Sequence, residues 1–500
     1  MKDKILFWIS NYSLVHFGIA KFLQDRHNCD LFALLDVTDN TKIFFQNQQL
    51  VKFNKTWYYH DHFSNSKPDL EYLSIFEKKY GLNLWTYACN DRILNHFNQY
   101  HKFNTTEILS ILTQELKLYE NILDEIKPDF IAISEPGLRH NYLFCKICKI
   151  RGINLLVFTQ YRLGYRCQIS NFENISIDMN NYPNTKVNNR TLEELQKYLK
   201  GFDIFKQTTG YRNKFLASKY NLLKAVWKFL LSKNNNYKTH YTYYGRTKLN
   251  VLTKSIFYLL RTRYREFFIN KNLVTKLDDE PFIYFPLHIE EESTLLIAAP
   301  FYTNQLELIK QIVKALPIGY KLYVKEHPSM YTRGWRKISD YKQMLSLPNI
   351  KIIHYSIPSE DIIKKSSLVL SISGTSGFEA AFYQKPSIVF TDTDFSILPS
   401  VHRLKTIEDL PKSIISSLQK PSENIFLLNK YIDFINDNSF QFDYTELAQD
   451  VQDYFHYSGF LADVEIPSEK MQIFLEKHKS QFEQLVTEHI KKINQYKNIN

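Results

Sequence analysis

Apolar and polar positions follow two alternating patterns along most of this chain. Short runs rich in β-branched and aromatic residues, typical of buried strands, are separated by stretches with an apolar residue every three or four positions, typical of helices. This alternation predicts a parallel sheet with crossover helices. It occurs over residues 1–170 and again over 281–420. We therefore predict an α/β protein with two Rossmann-like domains.

The first region opens with a strand, a helix and a second strand. Its predicted strands are 4–9, 30–37, 129–134 and 153–160, and its predicted helices are 12–24, 69–80, 106–126 and 139–150. The turn after the first strand, Ser10-Asn11-Tyr12, has no glycine fingerprint. We therefore expect no dinucleotide at this turn.

The second region has a more regular rhythm. Its predicted strands are 282–289, 320–326, 350–354, 368–373 and 387–390, and its predicted helices are 303–315, 335–346, 358–365 and 376–384. Five short strands joined by four crossovers are typical of a Rossmann-like unit. After Pro411 the pattern is mostly helical to the end of the chain.

The length of 500 residues exceeds what one hydrophobic core supports, and the composition suits burial. An apolar share of 44% with 15% aromatic residues excludes a disordered chain. We expect four parts. They are an N-terminal Rossmann-like domain (1–170), a basic and largely helical insert (171–280), a C-terminal Rossmann-like domain (281–420) and a helical extension (421–500).

The net charge of +11 is unevenly distributed. Residues 211–276 hold 15 Lys and Arg against one acidic residue, Glu266, so this segment carries +14 and the rest of the chain −3. Lys224 and Lys228 lie four positions apart in a predicted amphipathic helix, which is typical of a surface-lying segment. The segment favours an anionic membrane surface or glycan, or is a solvated helix packed on the protein. No nucleic-acid-binding module accompanies the charge, so we expect no nucleic acid partner.

Cysteine usage and hydropathy indicate a reducing compartment and no membrane span. The five cysteines are too few for a disulfide framework. Cys145-x-x-Cys148 lacks the second pair that a zinc site needs, so we expect two packed helix cysteines. There is no run of 18 apolar residues, and the apolar start is too short for a signal peptide. We expect a cytoplasmic protein, peripheral at the inner face of the cytoplasmic membrane.

The segment SISGTSGFEAAF (371–382) has the features of a phosphate site. Its glycines allow close approach of the backbone, the following helix offers free N–H groups, and Ser373, Thr375 and Ser376 add hydroxyls. The absence of a Walker lysine argues against a P-loop NTPase. An N-capped helix after a tight turn is the alternative.

His327 ends the second predicted strand of this region, and Pro328 fixes the direction in which the chain leaves it. Such a histidine donates to a phosphate or protonates a leaving phosphate oxygen, although a structural role is the alternative. We expect His327 and the Ser373–Gly377 turn at neighbouring strand ends. His288 closes the first strand at the same edge, followed by an acidic loop that includes Glu292. That loop is either part of the site or solvated.

In the N-terminal domain Glu135 follows a strand at the carboxyl edge, with Arg139 beside it. If the two domains face each other, Glu135 takes the proton from an acceptor hydroxyl. Arg162 is a weaker candidate for holding an anionic acceptor, and a structural ion pair is its alternative.

Four motifs together resemble the capsule polysaccharide biosynthesis glycosyltransferases, which include capsular β-Kdo transferases. The motifs are FPLH with its acidic loop (285–292), Asn304-Gln305, LYVKEHP (322–328) and SISGTSGFEAAFYQKPSIVF (371–390). The chain also resembles, more distantly, bacterial sialyl- and polysialyltransferases. The resemblance covers residues 282–392 well and the N-terminal half loosely.

This resemblance implies a GT-B fold, with two Rossmann-like domains facing a cleft and the donor in the C-terminal domain. It implies a nucleotide-activated donor, with a CMP-sugar such as CMP-Kdo favoured, a saccharide or glycolipid acceptor, and no cofactor or essential metal. By match, His327 contacts the donor phosphate and Glu379 the ribose, while Lys325 lies in the same motif. The phosphate cradle would be Ser373, Gly374, Thr375, Ser376 and Gly377. The family's Gln-Pro-Glu is replaced by Glu290-Glu291-Glu292.

Two other functions remain open. A CDP-polyol phosphotransferase of the teichoic-acid type also pairs a His-Pro with a phosphate site and would use a second histidine, for which His354 and His402 are present. A catalytically degenerate scaffold for polysaccharide assembly would act through the basic segment 211–276.

Overall fold

The computed structural model describes residues 2–96, 98–161, 163–172, 179–201, 219–233, 235–419 and 424–499. The chain divides into two compact units. Unit 1 comprises Met1–Glu173, Asp203–Asn250 and Phe440–Asn500, and unit 2 comprises Asn174–Phe202 and Val251–Ser439. Arg162, one of the candidates from the sequence, lies outside the described residues.

The described strands form two sheets, one in each unit. In chain order they are β1 (Asp3–Ser10), β2 (Cys29–Asp36), β3 (Phe53–Tyr58), β4 (Phe130–Ser134), β5 (Asn154–Gln160), β6 (Arg166–Ser170), β7 (Phe282–Pro286), β8 (Lys321–Lys325), β9 (Ile350–Ile353), β10 (Leu368–Ser371), β11 (Ser387–Val389), β12 (Val401–Arg403) and β13 (Phe440–Gln441).

The described α-helices cover both units. In chain order they are α1 (Val15–Arg26), α2 (Asp39–Asn47), α3 (Leu70–Tyr80), α4 (Leu84–Cys89), α5 (Thr105–Ile126), α6 (Arg139–Ile150), α7 (Leu192–Lys200), α8 (Lys219–Leu231), α9 (Asn236–Thr239), α10 (Lys248–Asn272), α11 (Ser293–Leu296), α12 (Gln305–Ala315), α13 (Met330–Arg333), α14 (Ile338–Leu345), α15 (Ser359–Lys365), α16 (Ser376–Phe382), α17 (Leu410–Leu418), α18 (Ile425–Asp437), α19 (Tyr444–Phe455), α20 (Ser468–Lys477) and α21 (Lys479–Ile499). Shorter helical turns occur at Asn11–Ser13, Tyr59–His62, Arg92–His96, Met179–Asn184, Tyr241–Tyr243, Pro300–Tyr302, Asp394–Ile397 and Ile407–Asp409.

The sheet of unit 1 has the strand order β13-β6-β5-β4-β1-β2-β3. Strands β1 to β5 are parallel in the order 3-2-1-4-5, which is Rossmann-like, and β6 and β13 are antiparallel additions at one edge. β13 pairs with β6, and α21 packs against α1, so residues after 440 complete this unit. Phe7 and Leu156 on one face and Leu6 and Leu155 on the other belong to separate clusters, so both faces of the sheet are covered.

The sheet of unit 2 has the order β12-β11-β10-β7-β8-β9, and the described strands all pair in parallel. In chain order this is the 3-2-1-4-5-6 arrangement, and the order reverses between β7 and β10. The predicted α/β class with two Rossmann-like units is confirmed. The prediction of neighbouring ends for β8 and β10 is wrong, because β7 lies between them.

Several strands are shorter than predicted. β7 ends at Pro286 and β8 at Lys325, so His288 and His327 each lie two residues beyond a strand. β10 ends at Ser371, which places the whole of the Ser373–Gly377 segment in the turn and the start of α16. All three features still lie at the carboxyl edge of the sheet, where open parallel sheets bind ligands.

Candidate functional site

The carboxyl edge of the unit 2 sheet gathers the motifs that the sequence singled out. Going across the strands, the edge presents His327 after β8, His288 after β7 and the Ser373–Gly377 turn after β10. His288 links to the turn directly, because its Nε2 accepts the Ser373 N–H at 3.4 Å. The last two features flank the point where the strand order reverses, which is the usual ligand position in such sheets.

The side chain of Gln305 holds the backbone of His288 in place. The side-chain amide of Gln305 accepts the His288 N–H at 2.7 Å and donates to the His288 carbonyl at 3.0 Å. Asn304, the preceding residue, caps α12 by accepting the Glu307 N–H at 3.2 Å. The Asn304-Gln305 pair therefore starts a helix and anchors the end of β7 at the same time.

His327 is oriented by its own turn. Its Nδ1 accepts the Ser329 N–H at 3.1 Å, so a neutral ring carries its proton on Nε2. The ring is half-buried. With this tautomer, His327 is a hydrogen-bond donor through Nε2, as the predicted contact to a phosphate oxygen requires.

Glu326, the residue before His327, has a structural role. Its carboxylate is buried and accepts from Arg336 Nε at 2.7 Å, from the Tyr341 hydroxyl at 2.9 Å and from the His327 N–H at 2.9 Å. Arg336 also donates to the His288 carbonyl at 2.7 Å. This buried pair thus ties the segments after β7 and β8 together.

The turn after β10 is built around a close approach at Gly374. The Gly374 N–H donates to Ser371 Oγ at 3.0 Å, and the Ser371 hydroxyl donates to the Gly374 carbonyl at 3.3 Å. A Cβ at Gly374 would lie 2.8 Å from His288 Nε2 and 3.0 Å from Ser371 Oγ. Only glycine fits there without displacing its neighbours.

The three hydroxyls of the predicted cradle differ in their engagement. Ser373 donates to the Thr294 carbonyl at 3.1 Å, and Thr375 donates to Glu379 Oε1 at 2.8 Å. Within the described part of the chain, the Ser376 hydroxyl and the N–H groups of Thr375 and Ser376 have no acceptor. Donors for an anion are therefore present at Thr375 and Ser376, whereas the protons of the Ser373 and Thr375 hydroxyls are already used.

Lys325 is a buried cation at the end of β8. Its Nζ lies 3.0 Å from Ser359 Oγ, and the Glu379 and Asp361 carboxylates are close enough to favour its charged form. Burial nevertheless lowers the pKa of Lys325 to about 8. The Lys325–Glu379–Thr375 connection links the β8 end to the start of α16, so these predicted residues belong to one cluster.

The acidic loop after β7 is ion-paired. Glu290 contacts the buried Arg336, and Arg333 lies 3.4 Å from Glu291 and 3.1 Å from Glu292. The carboxylates thus balance two arginines of the segment after β8. This placement favours a structural role for Glu292, which the sequence left open beside a role in the site.

His354 and His402 contact other parts of unit 2. His354 is buried after β9, where its Nε2 pairs with Asn270 Oδ1 at 3.0 Å and its Nδ1 with Ser356 Oγ at 2.7 Å. His402 lies in β12 and pairs with Ser413 Oγ at 3.1 Å. Both ring nitrogens of His354 are therefore engaged in holding the fold.

In unit 1 the two described candidates have different environments. Glu135 is exposed just after β4, and its charge lies close enough to Tyr444 to help burial raise the pKa of that phenol to about 12. Arg139 is buried, donates to Asp91 Oδ2 at 2.9 Å and pairs with Glu115. Arg139 is therefore committed to an internal ion-pair cluster.

Sequence reasoning missed a group at the carboxyl edge of the unit 1 sheet. Asp36, the last residue of β2, is hydrogen-bonded to His60 and His140, each at 3.0 Å. The three are far apart in the sequence. The available signal was the acidic residue at the end of the predicted strand 30–37, read with the rule that ligands bind at this edge.

Comparison with known proteins supports the resemblance that the motifs indicate. Residues 197–398 match a family model described as "Capsule polysaccharide biosynthesis protein". The resemblance to this family is confirmed over these residues. The matched range contains His288, His327, Lys325 and the Ser373–Gly377 turn, which are the residues gathered at one sheet edge. No curated protein matches the sequence.

Solved structures match at low identity and low TM-score. A UDP-GlcNAc 2-epimerase of Methanocaldococcus jannaschii is 15% identical, with coverage of 87% of this chain and 99% of that chain and a TM-score of 0.27. Two structures of Thermosulfurimonas dismutans KpsC also match. The β-Kdo 2,7 transferase is 13% identical, and the match covers 64% of this chain and 80% of that chain with a TM-score of 0.29. The β-Kdo 2,4 transferase is 12% identical, and the match covers 62% of this chain and 87% of that chain with a TM-score of 0.30.

Proposed function

We propose that this protein is a glycosyltransferase of capsular or other surface polysaccharide assembly, with a nucleotide-activated sugar as donor. The observation that carries the proposal is the coincidence of the family match with a donor-rich sheet edge at His327 and the Thr375–Ser376 turn. A CMP-sugar such as CMP-Kdo is favoured by the resemblance of the motifs. No cofactor or metal is part of the proposal.

Unit 2 would hold the donor phosphate. The N–H groups of Thr375 and Ser376 would bind phosphate oxygens at the start of α16, and Gly374 permits that approach. His327 would donate from Nε2, and the Lys325 ammonium would add positive charge. Glu379, which already accepts from Thr375, would bind the ribose.

The reaction would be a direct displacement at the anomeric carbon. The acceptor oxygen forms a bond to that carbon while the bond to the nucleotide phosphate breaks and its electron pair leaves with the phosphate. Donors at the phosphate stabilise the charge that develops there. A carboxylate of unit 1 takes the acceptor proton, and Glu135 is the candidate from the sequence.

We also propose a peripheral association with an anionic membrane, through α10. None of the described helices is both long and apolar enough to cross a membrane. Along α10, six large apolar side chains are 60–66% exposed: Ile256, Phe257, Leu259, Leu260, Tyr264 and Phe267. Large contiguous apolar surfaces of this kind mark interaction sites.

The opposite side of α10 is packed within unit 2. Arg265 donates to the Gly334 and Trp335 carbonyls at 2.9 and 2.6 Å, and Ile269 is fully buried. Arg261, Arg263 and Lys271 are exposed on the same helix as the apolar side chains. Exposed aromatic and aliphatic groups mixed with cations suit the interface of an anionic bilayer.

Nucleotide binding by the full chain tests the donor assignment. Titration calorimetry with CMP, CDP and UDP would compare the wild-type protein with His327→Ala and with His62→Ala, an exposed histidine of unit 1. We expect His327→Ala alone to weaken binding by about 10- to 100-fold, the range for a hydrogen bond to a charged group. Equal binding by all three proteins, or no nucleotide bound by any, contradicts the donor site.

Activity assays separate the competing functions. Incubation with CMP-Kdo, other CMP-sugars, UDP-sugars and CDP-glycerol would show which group is transferred. Transfer of glycerol phosphate would establish the phosphotransferase. Loss of polysaccharide in cells after charge reversal within 211–276, with His327→Ala silent, would establish the scaffold.

A further inference from the structure

The Asp36 carboxylate lies between two imidazoles at the carboxyl edge of the unit 1 sheet. His60, in the helical turn after β3, donates from Nε2 to Oδ1 at 3.0 Å, and His140, in the first turn of α6, donates to Oδ2 at 3.0 Å. Burial by itself would raise the pKa of Asp36, but the hydrogen bonds from His140 and His60 hold that pKa well below its usual range. The carboxylate is therefore ionised and fixed in direction.

Asp36 is the accessible member of this group. Its side chain is 14% exposed, against 5% for His60 and 2% for His140. Among the described residues each carboxylate oxygen accepts one side-chain hydrogen bond, which leaves a second lone pair on each oxygen. Two oriented acceptor positions thus remain for a ligand.

The histidines are positioned at a cost in stability. The Nδ1 atoms of His60 and His140 are buried without a hydrogen-bond partner in the described chain. Unpaired buried nitrogens and an ionised, mostly buried carboxylate are each unfavourable compared with apolar side chains of similar size. A carboxylate with a strongly shifted pKa at the ligand-binding edge of a parallel sheet is a candidate for a functional site.

The surroundings suit a sugar. Tyr243 lies close enough to Asp36, Tyr12 and Arg246 for their charges to act on its phenol. The Arg246 guanidinium lies 5.4 Å from the Tyr243 ring centroid, and Tyr12 is half exposed. Aromatic faces beside a few oriented polar groups are typical of ligand sites. The two acceptor positions left on Asp36 suit a ligand that donates hydrogen bonds, such as a sugar hydroxyl.

We propose that Asp36, positioned by His60 and His140, is the catalytic carboxylate that binds the attacking hydroxyl of the saccharide acceptor and takes its proton. This inference rests on the proposed glycosyl transfer. The acceptor O–H proton passes to a free lone pair of Asp36 as the oxygen bonds to the anomeric carbon. The electron pair of the breaking bond leaves with the nucleotide phosphate, and Asp36 then releases the proton to water.

Asp36 is better oriented than Glu135 for this role, and its low pKa does not prevent proton transfer, because the acceptor oxygen becomes strongly acidic as it bonds to the anomeric carbon. Glu135 is an exposed side chain, whereas Asp36 is shorter and held at both oxygens. Both follow parallel strands of one sheet, with β1 between them. A carboxylate that is already oriented loses little freedom when the acceptor binds, which lowers the barrier to reaction.

The decisive measurement is the turnover of four full-length proteins: wild type, Asp36→Asn, Glu135→Gln and Asp30→Asn. Asp30 lies at the opposite end of β2 and is the matched control. We expect Asp36→Asn to lower kcat by at least about 100-fold with the donor KM unchanged, the range for loss of a general base. We expect Asp30→Asn to retain full kcat. A kcat for Asp36→Asn near that of wild type, with Glu135→Gln inactive, overturns the assignment.

The positioning role of the histidines has its own test. His140→Phe removes the N–H donor, whereas His140→Gln keeps an N–H on a side chain of similar reach. We expect a large fall in kcat for His140→Phe and recovery of much of it in His140→Gln, at equal thermal stability. Equal kcat values in these two variants contradict the role.

Binding of the protein to an array of immobilised bacterial capsular oligosaccharides, measured without nucleotide sugar, distinguishes this inference from the proposed function. We expect the wild-type protein, Asp30→Asn and His327→Ala to bind the same glycans and Asp36→Asn to lose them. This pattern supports the acceptor site even if no nucleotide sugar is turned over. No glycan bound by the wild-type protein, or equal binding by Asp36→Asn, overturns it.

Discussion

The Arg336 guanidinium donates a 2.7 Å hydrogen bond to the buried Glu326 carboxylate, one residue before His327. Replacing one partner of such a pair leaves the other charge buried and uncompensated. We predict that Arg336→Met lowers the free energy of unfolding by about 3–5 kcal/mol, measured by urea denaturation. Arg333→Met, which removes a more exposed partner of Glu291 and Glu292, should cost about 1 kcal/mol or less. Similar losses in both variants would refute the assignment.

Gly374→Ala should impair nucleotide binding more than folding. Its Cβ would lie 2.8 Å from His288 Nε2, so the turn or the imidazole must move. We predict at least a 10-fold loss of affinity in calorimetry, about 1.4 kcal/mol. Gly137→Ala is the control, because no atom lies within 4 Å of the Cβ position there. Unchanged affinity in Gly374→Ala would show that the turn does not hold the ligand.

Lys325 gives donor binding a pH dependence. Its pKa of about 8 means that it is charged below pH 8 and neutral above it. Because only the ammonium attracts a phosphate, we predict that nucleotide affinity is constant from about pH 6 to 7 and falls as the pH rises through 8. Lys325→Met should bind weakly with no such fall, whereas Lys310→Met, at an exposed ion pair, should behave as wild type. If nucleotide affinity still falls above pH 8 in Lys325→Met, the pH dependence does not come from Lys325.

The exposed face of α10 should bind anionic vesicles. We predict that the protein sediments with vesicles containing phosphatidylglycerol and not with phosphatidylcholine alone. Phe257→Ser combined with Phe267→Ser should abolish sedimentation, because both rings are exposed and each contributes buried apolar area. Ile318→Ser, at an exposed loop position of unit 2, is the control. Binding that survives the double substitution would place the contact elsewhere.

Unit 1 should lose stability on mild acidification. Burial lowers the pKa of His16 to about 3 and those of His456 and His489 to about 4, against 6.5 when unfolded. Between about pH 4 and 6.5 the unfolded chain binds more protons, so stability falls as the pH falls, by roughly 1.4 kcal/mol per pH unit for each histidine. The stability of His489→Gln should depend less steeply on pH. A slope equal to that of the wild-type protein would contradict this.

The sequence predicted the central strands well because their apolar runs are continuous. It missed β3 (Phe53–Tyr58) and β6 (Arg166–Ser170), in which charged or polar residues interrupt the run. β3 is an edge strand, where one side of the ladder needs no partner and polar residues are tolerated. β13 is only two residues long, so its sequence shows no strand pattern. It forms because it pairs with β6.

The candidate site was predictable only where its residues are close in sequence. The His327 motif and the Ser373–Gly377 turn each carry a local pattern, and the sheet brings them to one edge. The strand order was not readable, so His288 was not expected between them. Asp36, His60 and His140 come from three separate segments, and only the fold unites them.

Unit 1 is assembled from three stretches of chain, whereas the sheet of unit 2 is encoded between residues 282 and 403. A ribosome therefore delivers every strand of unit 2 before it makes β13 and α19–α21. Until then β6 is paired with β5 alone and lacks β13 on its other side, and apolar residues of the first sheet such as Phe158 lack Phe442 and Tyr444. Unit 1, although begun first, is completed last, and a newly made chain is most exposed to aggregation over that interval.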